Sequence, residues 1–166
     1  MTLLTDTARA RAAARGSGER IHEMLSLIGH SSAGEAMAIM VQAGLTMPQI
    51  VTLHVLEHRG AHHVCEIADR LRLSRAATSH LVDQLARRAY VDRSEDQGDR
   101  RQKVVSISTK GRRLVDRLIA SRQREFERAV ALLPIALQDE FNRVLAKVNR
   151  HLKTLQNGHA CNGGAR

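Results

Sequence analysis

The chain has 166 residues, 43% apolar and 26% charged, with a formal net charge of +9. That length suits one domain with flanking helices, and the composition is the ordinary balance of a globular protein. No run of 18 uncharged apolar residues occurs, and the basic residues near the N-terminus precede no long apolar stretch, so neither a membrane span nor a secretory signal is expected.

Cys65 and Cys161 stand far apart without partnered spacing, so a disulfide framework is not expected and a reducing cytoplasm is the default location. Charge is unevenly distributed. Residues 21–69 hold one base against five acids, whereas residues 70–113 hold twelve bases against five acids. A basic segment following an acidic one points to a local polyanion-binding surface.

Residues 1–18 read as a disordered basic arm. Residues 19–45 read as an N-terminal dimerisation helix: Ile21, Met24, Leu25 and Ile28 follow helical spacing, Met37 and Met40 resume it, and Gly29 to Gly34 mark a kink. Thr46, Pro48 and Gln49 have the grammar of a helix start with a capping box, and Gly60 that of its end. Residues 65–73 form a short helix with Ile67, Ala68 and Leu71 inward. Ser74 caps the next helix, whose apolar stripe is Thr78, Leu81, Val82 and Leu85. The short link at Arg72–Leu73 is what a helix-turn-helix requires. Two apolar segments around Tyr90–Val91 and Val104–Ile107 then flank the stretch SEDQGDRRQK, a hairpin with a highly charged tip. Ser108 caps a long helix from about Thr109 to Leu133. Pro134 interrupts, and a last helix runs from about Ile135 to Leu155 before a disordered tail over residues 156–166. The expected fold is mainly α with a small β-wing: a winged helix-turn-helix over residues 46–110, flanked by the N-terminal helix and by dimerisation helices over 111–155. The flanking helices carry more apolar surface than so small a domain can cover, and a second copy would cover it.

The order LTMPQIVTLHVL, EIADRLRLSRAATSHLVDQLARRAYV and DRRQKVVSISTKG resembles the MarR (multiple antibiotic resistance regulator) family of transcription factors over residues 20 to 155. The last segment resembles the family's wing signature at Asp99, Arg101, Ile107, Ser108 and Gly111. The resemblance implies a homodimeric regulator of transcription, a repressor released from a palindromic operator on double-stranded DNA by a small ligand. It implies that Arg101 enters the minor groove, where a narrow groove concentrates negative potential. Asp99 would hold Arg101 by a charge-assisted hydrogen bond, and Arg100 and Lys103 would meet phosphates. On the recognition helix, Arg75, Ser79 and His80 are candidate base-edge donors. Ala76 and Ala77 are candidates for a thymine methyl, Ser74 and Gln84 border the interface, and Arg93 completes the set. The sequence departs from the family at two places. Ala89 stands where the family has glycine, so a differently formed helix end is expected. His80 stands where the family often has arginine, and an imidazole lacks the bidentate fork that suits guanine.

A ligand cleft of this family type would be walled here by Met24, Ile28, His54, His58 and Arg113, apolar with a few cationic groups, which suits an aromatic or aliphatic carboxylate. His54 and His58 are four apart on one helix and His62 and His63 follow, a spacing open to a divalent metal, although no cofactor is expected. Cys65 follows closely. Two alternatives therefore remain: a metal- or redox-sensing regulator of the same fold using His54 to Cys65, and an architectural nucleic-acid-binding protein without effector control. No Gly-rich phosphate loop, HExxH or GxSxG occurs, so no enzyme is expected. Tyr90, Phe126 and Phe141 are the only aromatics, too few for stacking on single-stranded RNA. A cytoplasmic protein associated with the nucleoid is the expected setting.

Overall fold

The computed structural model describes residues 2–32, 34–96 and 103–160. Ten elements follow in chain order: α1 (Thr2–Ser32), α2 (Gly34–Ala43), α3 (Met47–Arg59), β1 (His62–His63), α4 (Val64–Leu71), α5 (Arg75–Arg87), β2 (Val91–Glu95), β3 (Lys103–Ile107), α6 (Thr109–Ala131) and α7 (Ile135–Ala160). The chain divides into two compact units, residues 1–123 and residues 124–166.

The first unit contains the winged helix-turn-helix. Leu53 and Leu56 of α3, Ile67 of α4, Val82 and Leu85 of α5, Val91 of β2, Val105 of β3 and Val115 of α6 are all buried and form one core. Each large aliphatic side chain removed from water contributes about 1.5–3 kcal/mol, so this cluster fixes the orientation of α5. The sheet has the order β1-β3-β2 and is antiparallel, with Val91 opposite Ile107, Arg93 opposite Val105 and Glu95 opposite Lys103. The hairpin is thus in the register that buries Val91 and Val105 together. β1 was not expected. It pairs His62 with Val105 and His63 with Val104, and two residues are too few to show a strand's alternation in sequence.

Three helices in this unit end in the same way. The chain leaves α2 at Gly44, α4 at Arg72 and α5 at Ala89, each with positive φ (59°, 53° and 58°). In each case the next residue's N–H reaches back five residues: Leu45 to Met40, Leu73 to Ala68 and Tyr90 to Leu85, at 3.3, 3.0 and 2.9 Å. This is the Schellman motif. The expectation that Ala89 would change the helix end is therefore corrected: the left-handed residue is kept and the alanine is strained into it.

The termini also differ from expectation. Residues 1–18, read as a disordered arm, are helical from Thr2 onward. Ala, Arg and Leu dominate there and rank among the best helix formers, which outweighs Gly16 and Gly18 at about 1 kcal/mol each. At the other end α7 continues to Ala160, so the first five residues of the expected tail, 156–160, are helical. Residues 161–166 lie outside the described residues. α6 stops at Ala131, two residues before Leu133; Pro134 O then accepts from the N–H groups of Leu137 and Gln138 and starts α7. In the second unit α7 leaves Val144, Leu145, Val148, Leu152 and Leu155 exposed.

Candidate nucleic-acid interface

α4 and α5 are joined through Arg72 and Ser74. Glu66 Oε2 accepts the His63 N–H at 2.8 Å and so caps α4. Ser74 Oγ accepts the Ala77 N–H at 3.2 Å and caps α5. The role read for Ser74 as a cap is the one it has. Thr78, Leu81, Val82 and Leu85 turn into the core, which presents Arg75, Ala76, Ala77 and His80 as an exposed row on the opposite side. Ser79 is half-buried, and its carbonyl accepts from Arg93 Nη2 at 3.4 Å.

Arg93, assigned from sequence to the interface, is engaged within the protein. Its Nη1 lies 2.5 Å from Asp83 Oδ1. The pair ties β2 to the middle of α5. Lys103 is exposed at the start of β3. Asp99, Arg100 and Arg101 lie outside the described residues.

Gln84 is engaged on both ends of its amide. Its Oε1 accepts from Gln49 Nε2 at 2.7 Å, and its Nε2 is 2.9 Å from His80 Nε2. Gln49 is buried, and its Oε1 accepts the Thr46 N–H at 2.9 Å, the backbone half of the expected capping box. Gln49 was read from sequence only as a cap. Its second role depends on a residue 35 positions away, a pairing for which the sequence holds no local signal.

The C-terminal end of α5 is held by cations that sequence reading did not single out. Arg88 Nη1 donates to the carbonyl of Gly44, and Lys110 Nζ donates to Arg88 O at 2.8 Å while lying 4.6 Å from the Tyr90 ring centroid. Positive charge at a helix C-terminus is favourable. A shallow polar groove of about 290 Å³ runs beside this end, lined by Gly44, Thr46, Gln49, Gln84, Arg87 and Arg88. Two of its six lining residues are arginines.

The residues expected to wall a ligand cleft are Met24 and Ile28, both half-buried on α1, His54 and His58 on α3, and Arg113, exposed on α6. The His54 and His58 rings stack, with centroids 5.9 Å apart. Burial, and then the charge of His58, push the His54 pKa below the ordinary imidazole value; Glu57 opposes them. Glu57 itself accepts from Arg112 Nη1 at 2.8 Å, while its Oε2 is buried without a partner. His62 and His63 face other groups: His62 Nδ1 is 3.0 Å from Gly60 O, and His63 Nε2 is 3.4 Å from Asp96 Oδ2. Among the described residues no group of three His, Cys, Asp or Glu side chains is placed to hold a metal ion. Cys65 is a half-buried free thiol. Among the described residues no single helix is long and apolar enough to cross a membrane.

A capped helix on a three-helix core, with an antiparallel wing braced to it, defines a winged helix-turn-helix fold. Residues 45–103 match the model of the MarR family. It is 29% identical over 89 residues to YfiV of Bacillus subtilis, an HTH-type transcriptional regulator, the match covering 54% of this chain and 56% of that protein. A second HTH-type regulator of the same organism, YsmB, is 29% identical over 85 residues, 51% of this chain and 58% of the relative. The chain thus spans little more than half the length of the curated relatives it matches. Among solved structures, transcriptional regulator Tm0710 from Thermotoga maritima superposes with a TM-score of 0.67 at 19% identity, covering 86% of this chain and 98% of that one. The YusO protein from Bacillus subtilis gives 0.63 at 23%, over 82% and 97%. The F27L mutant of MepR from S. aureus, bound to an oligodeoxyribonucleotide, gives 0.60 at 23%, over 81% and 97%. These likenesses establish the fold.

Proposed function

We propose that this protein is a homodimeric, sequence-specific DNA-binding transcriptional regulator of the cytoplasm, a repressor released from a palindromic operator by a small ligand. The observation that carries the reading is the exposed row Arg75, Ala76, Ala77 and His80 on a helix whose other face is locked into the core. That row enters the major groove. Arg75 and His80 face base edges, and the two alanines suit a thymine methyl. The basic segment 70–113 supplies phosphate contacts. Arg101 enters the minor groove from the wing, with Arg100 and Lys103 on the backbone and Asp99 orienting Arg101. The oligonucleotide-bound relative supports this docking, and the absence of a catalytic motif from the sequence accords with a non-enzymatic role.

The effector is a small aromatic or aliphatic carboxylate taken up beside His54, His58 and Arg113, with Met24 and Ile28 against its apolar part. Such a ligand releases DNA only by its differential affinity for the conformation with the wrong spacing of the two recognition helices.

The test is titration of a duplex carrying the footprinted site. With about six to ten phosphate contacts per dimer, affinity falls by about 10³–10⁵ between 50 and 200 mM salt. Arg101→Ala loses about 1–3 kcal/mol of binding, whereas Lys153→Ala on α7 loses little. A flat salt dependence, or equal losses for both variants, overturns the docking. Release of bound duplex by zinc or peroxide and by no carboxylate overturns the effector assignment.

A further inference from the structure

Four groups in the first unit form a hydrogen-bonded chain whose proton order follows from its first member. The backbone N–H of Thr46 can only donate, so the Gln49 atom 2.9 Å from it is an acceptor oxygen. That fixes the Gln49 amide: its Nε2 points the other way and donates to Gln84 at 2.7 Å, so the Gln84 atom there is also an oxygen. Gln84 in turn presents its NH₂ to His80 Nε2 at 2.9 Å. A donor facing a ring nitrogen at that distance requires a lone pair on it, so the proton of a neutral His80 sits on Nδ1. The usual ambiguities of amide orientation and imidazole tautomer are resolved by one obligatory backbone donor. The chain is anchored where exchange is slow, since Gln49 is buried, and it ends where His80 is exposed. Among the described residues Nδ1 has no protein partner.

We infer that Gln49 and Gln84 are positioning residues that hold His80 as the Nδ1–H tautomer, making it a single-point hydrogen-bond donor that selects an acceptor-bearing base edge. In the major groove guanine N7 and O6, adenine N7 and thymine O4 accept, whereas cytosine N4 and adenine N6 donate, so cytosine alone offers a single-point donor no acceptor. This inference rests on the DNA-binding reading and adds to it the polarity of one base contact. It also gives Gln84, which borders the interface, a role within the protein.

Substituting carboxylate for amide reverses the order. In Gln84→Glu the side chain accepts from Gln49 Nε2 and also from the ring, so His80 must carry its proton on Nε2 and expose Nδ1 as an acceptor. In Gln49→Glu the carboxylate accepts from both Thr46 N–H and the Gln84 NH₂. Gln84 then turns its oxygen to His80, with the same result. Gln84 is only half-buried, so the first variant folds even where the buried carboxylate of the second does not.

The experiment has two arms. Ring ¹⁵N spectra of the free protein at pH 8, with His80 assigned by its loss in His80→Asn, show a protonated Nδ1 and a bare Nε2 in the parent and the reverse in Gln84→Glu. A parent His80 protonated at Nε2, or unaltered by the substitution, overturns the proton order. Selection from a duplex library randomised at the half-site then gives, in the parent, about tenfold depletion of cytosine relative to the three acceptor-bearing bases at one position. In Gln84→Glu that depletion is lost or turns into enrichment of cytosine, while the salt slope stays as it was. An unaltered base preference beside a reversed tautomer overturns the readout. Failure of the parent to bind any duplex sinks the DNA-binding reading and the readout with it, and leaves the proton order to be decided by the spectra.

Discussion

Ala89 shows how a residue can be strained by its neighbours. Its φ of 58° costs an L-residue with a Cβ about 1–2 kcal/mol relative to the right-handed region. The position is held because Tyr90 N–H bonds to Leu85 O and Ser108 Oγ donates to Ala89 O at 2.7 Å. Ala89→Gly removes the strain and adds some entropy cost in the unfolded chain. The net expectation is a gain of about 1 kcal/mol, read as a higher urea midpoint at unchanged slope. A fall in midpoint would show that the alanine methyl makes a contact that outweighs the strain. Arg72, the other non-glycine in this conformation, explains why helix ends were hard to read. Of the three Schellman ends only Gly44 carries the glycine that announces one. His54 gives a second residue-scale prediction. Its folded pKa lies below the unfolded value of about 6.5. The unfolded chain therefore takes up the proton first as pH falls, and stability is full above about pH 6.5 and declines below it toward the lowered pKa. Denaturation between pH 5 and 8 should give a shallower pH slope for His54→Gln than for the parent. Equal slopes would mean that burial of His54 has no linkage to folding.

At the scale of elements the junction of α5, β3 and α6 carries the most constraint. Ser108 joins all three: its N–H donates to Tyr90 O, its Oγ donates to Ala89 O, and the same Oγ accepts the Gly111 N–H at 3.0 Å as the cap of α6. A Cβ at Gly111 would overlap the Tyr90 carbonyl and stand 2.8 Å from Ile107 Cγ1. Gly111→Ala should lower stability by about 2–3 kcal/mol, measured by denaturant unfolding, and a neutral result would mean that the junction yields without strain. This glycine belongs to the segment that resembles the wing signature, so that segment serves packing as well as the proposed DNA contact. The helices α3 to α6, the hairpin and the caps at Thr46, Ser74 and Ser108 were legible in the sequence, because periodicity and capping are local codes; the helical ends at residues 2–18 and 156–160 were not. The Gln49–Gln84, Asp83–Arg93 and Arg88–Gly44 links were not, because each joins residues between 10 and 44 positions apart and depends on how the core packs. Arg93, read from sequence as an interface residue, pairs with Asp83 and so braces β2 on α5.

At the scale of the molecule, the apolar surface is divided unequally. The core of the first unit buries most of its large aliphatic side chains on α3 to α6, with Val51 an exception, while α7 leaves Val144, Leu145, Val148, Leu152 and Leu155 between 38% and 51% exposed, and α1 leaves Ile21 and Leu25 open. On α7 the spacing of 144, 145, 148, 152 and 155 draws one stripe along a single helix face. A monomer seldom leaves so continuous an apolar stripe in water. A two-fold partner would bury the same face of its own α7 and make the interface self-complementary. Each side chain covered contributes at most about 1.5–3 kcal/mol, so removing two should cost a large part of the association energy. Val148→Asp with Leu152→Asp is therefore expected to convert a micromolar dimer to a monomer in sedimentation. Neither position contributes to the winged-helix core, so that core should keep its helical circular dichroism. Operator affinity should fall by about a hundredfold or more, because two linked half-sites bind far more tightly than either alone. A parent chain that sediments as a folded monomer at micromolar concentration, or a double variant that stays dimeric, would move the interface away from α7.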